Sequence, residues 1–237
     1  MTFKGQTVLV AGGTGGLGRA VSLAFLKEGA DLIVTYRKHE EFRELNAAAD
    51  ANVSRLAGQQ LDVTDETAVQ QLVEQTLAKY RRLDVLVNTV GGYVGGTKLW
   101  ELDTREFDRM LAQNLRPGYV LSRAAVQAML QQKKGVIVNV AARAALEHGA
   151  GVAAYAASKA AAVAMMDSLA ADLKGTGVRV NSILPSIIDT EANRKAMPGA
   201  NFATWPKPED IAQVILFLCS DEGKLINGAA IPVYGNS

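Results

Sequence analysis

Residues 7–18 read TVLVAGGTGGLG, an apolar β-branched run that leads into five glycines. The run predicts a short buried strand, and the apolar spacing after residue 17 predicts a helix. Between them, Gly12 permits a tight turn, Gly16 lets the backbone approach a phosphate, and Gly18 lets the helix pack closely on the strand. The helix start also presents unpaired N–H groups to an anion. The stretch therefore predicts a strand–loop–helix unit that binds a pyrophosphate; the alternative is a flexible loop that only turns the chain.

The alternation of strand and helix continues along the whole chain. Apolar β-rich runs predict strands at residues 7–10, 32–35, 54–61, 85–87, 136–140, 178–184 and 229–233. Helical spacing predicts helices at residues 17–29, 40–51, 65–80, 104–132, 153–174 and 208–220. Such alternation is typical of a parallel sheet covered by helices, with ligands at the carboxyl ends of the strands. Without repeats or a proline-rich linker, the sequence predicts one α/β domain over residues 1–237, a doubly wound parallel sheet of about seven strands.

The composition is typical of a soluble globular protein. The chain has 237 residues, 49% of them hydrophobic, and its 25 basic side chains stand against 24 acidic ones. This balance, without a run of like charges, argues against nucleic-acid binding. We also expect no membrane partner and a cytoplasmic location, because no stretch is long and apolar enough for a membrane span or a secretory segment. The lone Cys219 cannot form an internal disulfide, and no metal site is predicted.

The end of the second predicted strand indicates which nucleotide the glycine loop holds. A site for NAD(H) is expected to place a carboxylate here, where it accepts hydrogen bonds from the ribose hydroxyls. The sequence instead reads Tyr36-Arg37-Lys38, a neutral side chain followed by two cations. Two cations suit a 2′-phosphate, so we expect NADP(H) to be favoured over NAD(H). The alternative is a solvated basic turn, since Glu40 and Glu41 follow directly.

Tyr155 and Lys159 lie four residues apart in a predicted helix, which places both side chains on one face. An ammonium group beside a phenol favours the phenolate, so we expect Lys159 to lower the pKa of Tyr155 toward neutrality. The pair then forms a general acid that protonates a substrate. This spacing alone is also common on ordinary exposed helices. The glycine loop elsewhere in the chain is what favours a catalytic role for the pair.

The motifs together resemble the short-chain dehydrogenase/reductase family over nearly the whole chain. The resemblance is carried, in the family's order and spacing, by Gly12-x-x-x-Gly16-x-Gly18, Asp62-Val63, Asn88-Thr89-Val90-Gly91, Asn114, Tyr155-x-x-x-Lys159 and residues 185–190. It implies a Rossmann-type fold, an NAD(P)H-dependent reductase and a small-molecule substrate. It also implies a homodimer or homotetramer, because relatives use the alanine-rich helix through Tyr155 and the last strand for subunit contacts.

The resemblance also implies a role for individual residues. It implies contacts with the cofactor from Gly12, Thr14, Gly16, Leu17, Gly18, Tyr36, Arg37, Lys38, Asp62, Val63, Asn88, Gly91, Tyr155, Lys159, Pro185, Ile188 and Thr190. Among these, Asp62 and Val63 touch the adenine, and Lys159 holds the nicotinamide ribose. Asn114 kinks its helix and holds a water that relays protons to Lys159.

The family's catalytic serine is absent. Thirteen residues before Tyr155 the chain has Ala142, within the run Val138-Asn139-Val140-Ala141-Ala142. Loss of such a hydroxyl donor costs about 10²–10³ in turnover, which weakens the case for ordinary carbonyl reduction. We interpret the neighbouring Asn139 as a structural residue of the strand end, with substitution for the serine as the alternative.

A narrower resemblance fits the missing serine. Residues 88–96, 141–146, 189–198 and 201–205 resemble the dihydropteridine reductases, which also have alanine at this place. A quinonoid ring accepts hydride without forming a localised alkoxide, so it has less need of the hydroxyl. The sequence departs from that subfamily at Tyr36, where the subfamily has an acidic residue, and at Asn114, where the subfamily lacks the asparagine. Two alternatives remain, a 3-oxoacyl or small-ketone reductase without serine and a catalytically silent NADP(H)-binding sensor.

Substrate contacts are expected near Ala142 and from two loops. Tyr93 either stacks on a flat ring or packs against Trp100, and His148 either contacts substrate or lies on the surface. Residues 189–206 follow a strand end and are expected to form a lid, in which Met197 and Trp205 either close over the substrate or belong to a small separate core.

Overall fold

Seven parallel strands form one sheet in the order β3-β2-β1-β4-β5-β6-β7 in a computed structural model that describes residues 1–237. The strands are β1 (Thr7–Ala11), β2 (Asp31–Tyr36), β3 (Leu56–Gln60), β4 (Val85–Asn88), β5 (Gly135–Val140), β6 (Val178–Pro185) and β7 (Ala230–Val233). The prediction of a doubly wound parallel sheet of about seven strands is confirmed. The two weaker predicted strands, β3 and β7, are the edges of the sheet.

Eight helices connect the strands. They are α1 (Gly16–Lys27), α2 (His39–Ala49), α3 (Glu66–Tyr80), α4 (Thr104–Asn114), α5 (Arg116–Gln132), α6 (Ala153–Asp172), α7 (Glu191–Ala196) and α8 (Pro208–Cys219). The buried side chains of α1, α2 and α8 form one core with alternate residues of the strands. Those of α3, α5 and α6 form a second core with the other set. The central strands are apolar on both faces because helices cover both.

The predicted helix at residues 104–132 is two helices, and this corrects the prediction from spacing. α4 ends at Asn114, Leu115 breaks the regular backbone, and α5 begins at Arg116. Pro117 follows at once and has no N–H to donate to the preceding turn. The apolar spacing carries through the break, which is why periodicity alone does not detect it. The kink at Asn114 that the family resemblance implies is therefore present.

The order of the strands fixes where a ligand can bind. The chain winds outward from β1 through β2 to β3 and then returns to β4 on the other side of β1. The loops after β1 and β4 therefore diverge and leave a crevice at the carboxyl ends of the sheet. No helix has the length and apolar character that a membrane crossing requires.

Candidate active site

A cleft of about 500 Å³ lies in this crevice. The glycine loop, the ends of β2 and β3, the loop after β4 and the last turns of α4 line it. Of the predicted cofactor residues, Gly12, Thr14, Tyr36, Arg37, Asp62, Val63 and Gly91 line this one cleft. They come from four separate parts of the sequence, and the crossover of the sheet brings them together.

The glycine loop has the geometry of a phosphate cradle. Gly12 has φ +72°, a left-handed value that disfavours other residues. A Cβ on Gly18 would lie 2.1 Å from the carbonyl oxygen of Gly12, so only glycine permits this approach of helix to strand. No side chain caps the start of α1, and its first turn holds no acidic residue. The free N–H groups at this helix start can therefore take a pyrophosphate, and the residues fit a dinucleotide.

The predicted 2′-phosphate corner contains ion pairs as well as cations. The Tyr36 ring stacks on Phe42 with centroids 4.6 Å apart. Arg37 lies 3.5 Å from a carboxylate oxygen of Asp62, and Lys38 lies 3.2 Å from one of Glu41. The two cations therefore face carboxylates in the absence of a ligand.

The wall of the cleft after β4 is held by a pair of asparagines. The Asn88 amide N–H donates to the Asn139 side-chain oxygen over 2.8 Å, and the Val90 N–H donates to the Asn88 oxygen over 3.1 Å. These bonds hold Val90 and Gly91 beside the glycine loop. Asn139 thus serves the sheet, in agreement with the structural interpretation of this residue.

Gly91 marks the point where the catalytic side chains meet. A Cβ on Gly91 would lie 2.9 Å from both the Asn114 side-chain oxygen and the Lys159 Nζ. Asn114 and Lys159, which were predicted from separate motifs, thus both approach Gly91. A larger side chain at Gly91 would displace both polar groups, which gives a physical reason for glycine here.

Asn114 ties the cleft wall to the catalytic helix. Its side-chain oxygen accepts the Gly92 N–H over 2.8 Å, and its amide donates to the Ser158 hydroxyl over 2.9 Å. Ser158 in turn donates to the carbonyl oxygen of Tyr155.

Burial shifts the pKa values of Tyr155 and Lys159 in opposite directions. Desolvation raises the pKa of Tyr155 from 10.0 to about 12, and the nearby Tyr93 adds to the effect. Desolvation lowers the pKa of Lys159 from 10.5 to about 8. The Lys159 ammonium donates to the carbonyl oxygen of Val140 over 3.2 Å. The raised pKa of Tyr155 is opposite in direction to the acidified phenol that the spacing predicts, because burial removes water from the phenol.

Ala142 and Tyr93 are two of the residues from which substrate contacts are predicted. Ala142 is buried with an extended backbone, and it offers no hydroxyl. The Tyr93 ring meets the Tyr155 ring edge to face, with centroids 4.9 Å apart. Tyr93 remains 66% exposed, so most of its surface is free to contact another ring. The structure thus places Tyr93 against Tyr155, and the stacking of Tyr93 on a substrate ring stays a prediction.

The predicted lid contains a short helix and a small aromatic pair. Thr190 lies over the glycine loop, since a Cβ on Gly16 would be 2.8 Å from the Thr190 methyl group. Trp205 is buried and lies 5.0 Å from the Phe202 ring, as a separate small core requires. Met197 is half-buried, and His148 is exposed in the loop before α6. Pro185 is the last residue of β6. The carbonyl oxygen of Ile188 accepts a hydrogen bond from the side-chain amide of Asn193 in the lid.

Comparison with known proteins agrees with this geometry. The family model described as short chain dehydrogenase matches residues 6–201. A 3-oxoacyl-[acyl-carrier-protein] reductase of Thermotoga maritima is 32% identical, over 99% of this chain and 98% of that protein. A meso-2,3-butanediol dehydrogenase of Serratia marcescens is 32% identical, over 100% of this chain and 96% of that protein. A solved structure described as ElxO with NADP bound has a TM-score of 0.91 and 27% identity, over 97% of each chain.

The chain belongs to the short-chain dehydrogenase family.

Membership of the short-chain dehydrogenase family makes this protein an oxidoreductase with a nicotinamide cofactor. Two polar residues of the site region were not predicted from the sequence. Ser158 lies between Tyr155 and Lys159 in an alanine-rich helix, and its isolated polarity was an available signal. Glu41 lines the cleft although the sequence suggested only that it dilutes a basic turn. No group of three or more His, Cys, Asp or Glu side chains is arranged as a metal site.

Proposed function

We propose that the protein is an NADPH-dependent reductase in which Tyr155 protonates the acceptor. The support is the approach of Lys159 and Asn114 to Gly91, which lines the cleft, and the hydrogen bonds that join Asn114 through Ser158 to the backbone of Tyr155. When bound, the dinucleotide supplies the hydride. The raised pKa of Tyr155 keeps its phenol protonated at neutral pH, as a proton donor must be.

Each remaining catalytic residue has a separate task. Lys159 carries a positive charge at neutral pH and stabilises the phenolate that forms as Tyr155 gives up its proton. The Asn114 side chain holds α6 against the cleft wall through Ser158 and Gly92. Its backbone carbonyl at the helix break accepts a water that returns a proton toward Lys159. The glycine loop and Thr190 hold the cofactor from opposite sides.

NADP(H) is the cofactor that we propose as preferred. Arg37 lines the cleft at the end of β2, and Tyr36 leaves that place without a carboxylate. Arginine can pair with a phosphate through two N–H groups. The structure titled ElxO with NADP bound, which is similar over 97% of this chain, adds support.

The substrate that the geometry favours is a flat, delocalised ring such as a quinonoid dihydropterin. Two observations carry this proposal: the exposed Tyr93 ring lies 4.9 Å from the Tyr155 ring, and residue 142 is a buried alanine without a hydroxyl. An apolar wall gives a localised alkoxide nothing to bond with, whereas an aromatic edge and face suit a planar ring. Met197 and His148 would close the substrate side.

A second candidate is reduction of a 3-oxoacyl group or a small ketone. It is favoured by the curated relatives, which are a 3-oxoacyl-[acyl-carrier-protein] reductase and a butanediol dehydrogenase. This chemistry would have to proceed without the hydroxyl at residue 142. It shares the cofactor, Tyr155 and Lys159 with the first candidate, so only substrate turnover separates the two.

A cofactor-oxidation screen tests the proposal. Loss of NADPH absorbance is followed with a quinonoid dihydropterin, with quinones and with small ketones, for the wild type and for Tyr155→Phe. We expect the ring acceptors to turn over fastest and Tyr155→Phe to lose at least about 10²-fold in rate, the usual worth of a general acid. Faster turnover of ketones would favour the second candidate. If no acceptor were turned over in a way that depends on Tyr155, the reductase proposal would fail. The catalytically silent NADP(H)-binding sensor would then be the remaining alternative.

A further inference from the structure

The carboxylate of Glu41 occupies the ribose corner of the cleft. The Thr14 hydroxyl of the glycine loop donates to one of its oxygens over 3.1 Å, and the Lys38 ammonium lies 3.2 Å from the other. Thr14 is buried, so this contact fixes the carboxylate against the glycine loop. Glu41 lines the same cleft as Thr14 and Arg37, and its side chain is 38% exposed.

The charges around this corner are balanced. Arg37 faces Asp62 at 3.5 Å, and Lys38 faces Glu41 at 3.2 Å. Arg109, the other cation that lines the cleft, pairs with Glu106 at 2.7 Å. A 2′-phosphate must therefore compete with carboxylates for every cation within reach. The basic turn in the sequence overstates the attraction for a phosphate.

We propose that Glu41 is a specificity-determining residue for the cofactor. It accepts a hydrogen bond from an adenosine ribose hydroxyl. It thereby replaces the carboxylate that an NAD(H) site has at the end of β2, where this chain has Tyr36. The same charge repels a 2′-phosphate and so reduces the preference for NADP(H) over NAD(H). The enzyme therefore uses both cofactors. The inference rests on the proposed cofactor site and sets how selective that site is.

A purely structural role for Glu41 makes a different prediction. Acidic side chains in the first turn of a helix stabilise the helix dipole, and Glu41 lies in the first turn of α2. Glu40 lies in the same turn, is 70% exposed, pairs with Arg43 and does not line the cleft. Glu40→Gln therefore makes the same change in charge and in helix dipole as Glu41→Gln, outside the binding site.

Calorimetric binding of NADP⁺ and NAD⁺ to the wild type, Glu41→Gln and Glu40→Gln tests the proposal without turnover. We expect Glu41→Gln to bind NADP⁺ about tenfold more tightly and NAD⁺ several-fold more weakly, because one carboxylate no longer faces the 2′ position. Glu40→Gln should keep the ratio of the two affinities within about twofold of the wild type. Thr14→Val, which releases Glu41, should shift the ratio in the same direction by less.

Three results would overturn the inference. Equal effects of Glu41→Gln and Glu40→Gln would show a general charge effect, and an unchanged affinity ratio in Glu41→Gln would remove its part in selection. In both cases the cofactor site itself would stand. If the wild type bound neither NADP⁺ nor NAD⁺, the proposed cofactor site would fail and this inference with it.

Discussion

The buried ammonium of Lys159 carries a cost in stability that its chemical task requires. Desolvation lowers its pKa from 10.5 to about 8, a difference of about 3 kcal/mol between the charged and neutral forms in the folded state. Its one hydrogen bond, to Val140, offsets part of this. The site therefore keeps a charge where an apolar side chain would be more stable, as is common in active sites.

We expect Lys159→Met to be more stable than the wild type by about 2 kcal/mol at pH 7 and to lose its reductase activity. The unfolded chain keeps the proton up to about pH 10.5 and the folded chain only to about pH 8, so the stability of the wild type gains over this range. The advantage of the variant should accordingly shrink between pH 8 and 10.5. Denaturant unfolding at pH 7 and pH 10 measures both differences. A variant less stable than the wild type at pH 7 would contradict the prediction.

Ala142 is the residue on which the substrate class depends. We expect Ala142→Ser to raise ketone reduction by about tenfold or more, because a hydroxyl donor then faces the developing oxyanion. The same change should leave turnover of a quinonoid ring nearly unaltered. Steady-state kinetics with one ketone and one ring acceptor measure the ratio, and Ala141→Ser serves as the neighbouring control. An equal gain for both acceptors would argue against the assignment of Ala142 to the substrate oxygen.

At the scale of elements, the junction of β1 and α1 depends on one atom that glycine lacks. A Cβ on Gly18 would lie 2.1 Å from the Gly12 carbonyl oxygen and 2.8 Å from the Thr89 hydroxyl. Both neighbours belong to segments that the sheet holds in place, so neither can move cheaply. The same packing contact thus fixes the positions of the first turn of α1 and of the glycine loop.

We expect Gly18→Ala to lower the free energy of unfolding by about 2 kcal/mol and to weaken cofactor binding, since α1 must shift away from β1. Gly199→Ala is the matched control, because nothing lies within 4 Å of its added Cβ and its φ is not positive. Thermal melts with and without cofactor measure both effects. Equal melting temperatures for the two variants would contradict the expected clash.

At the scale of the whole molecule, one edge of the sheet leaves apolar side chains in water. Leu225, just before β7, is 91% exposed, and Phe217 of α8 is 39% exposed. β7 is an edge strand with a partner on one side only. Exposed apolar groups near an open edge are typical of a contact surface, so we expect the homodimer or homotetramer that the family resemblance implies to form through this face.

We expect the wild type to run as a dimer or tetramer in size-exclusion chromatography with light scattering, and Leu225→Asp to shift it to a smaller species. The added charge would have to be buried in the contact. Val53→Asp provides the control, because Val53 is also exposed, at 45%, but precedes the opposite edge strand β3. A monomeric wild type, or equal shifts in both variants, would contradict this assignment.

The sequence by itself determined the sheet, the glycine loop, the Tyr155 and Lys159 pair and the missing serine, because each depends on local spacing or residue type. Tertiary structure alone decided which groups distant in the sequence come into contact and how far they are buried from water. Thr14 and Glu41 are 27 residues apart, yet they share a hydrogen bond. That bond places a carboxylate beside the basic turn and changes its interpretation as a 2′-phosphate site. The pKa of Tyr155 rises instead of falling because helix packing removes its water, and sequence spacing carries no information on that loss.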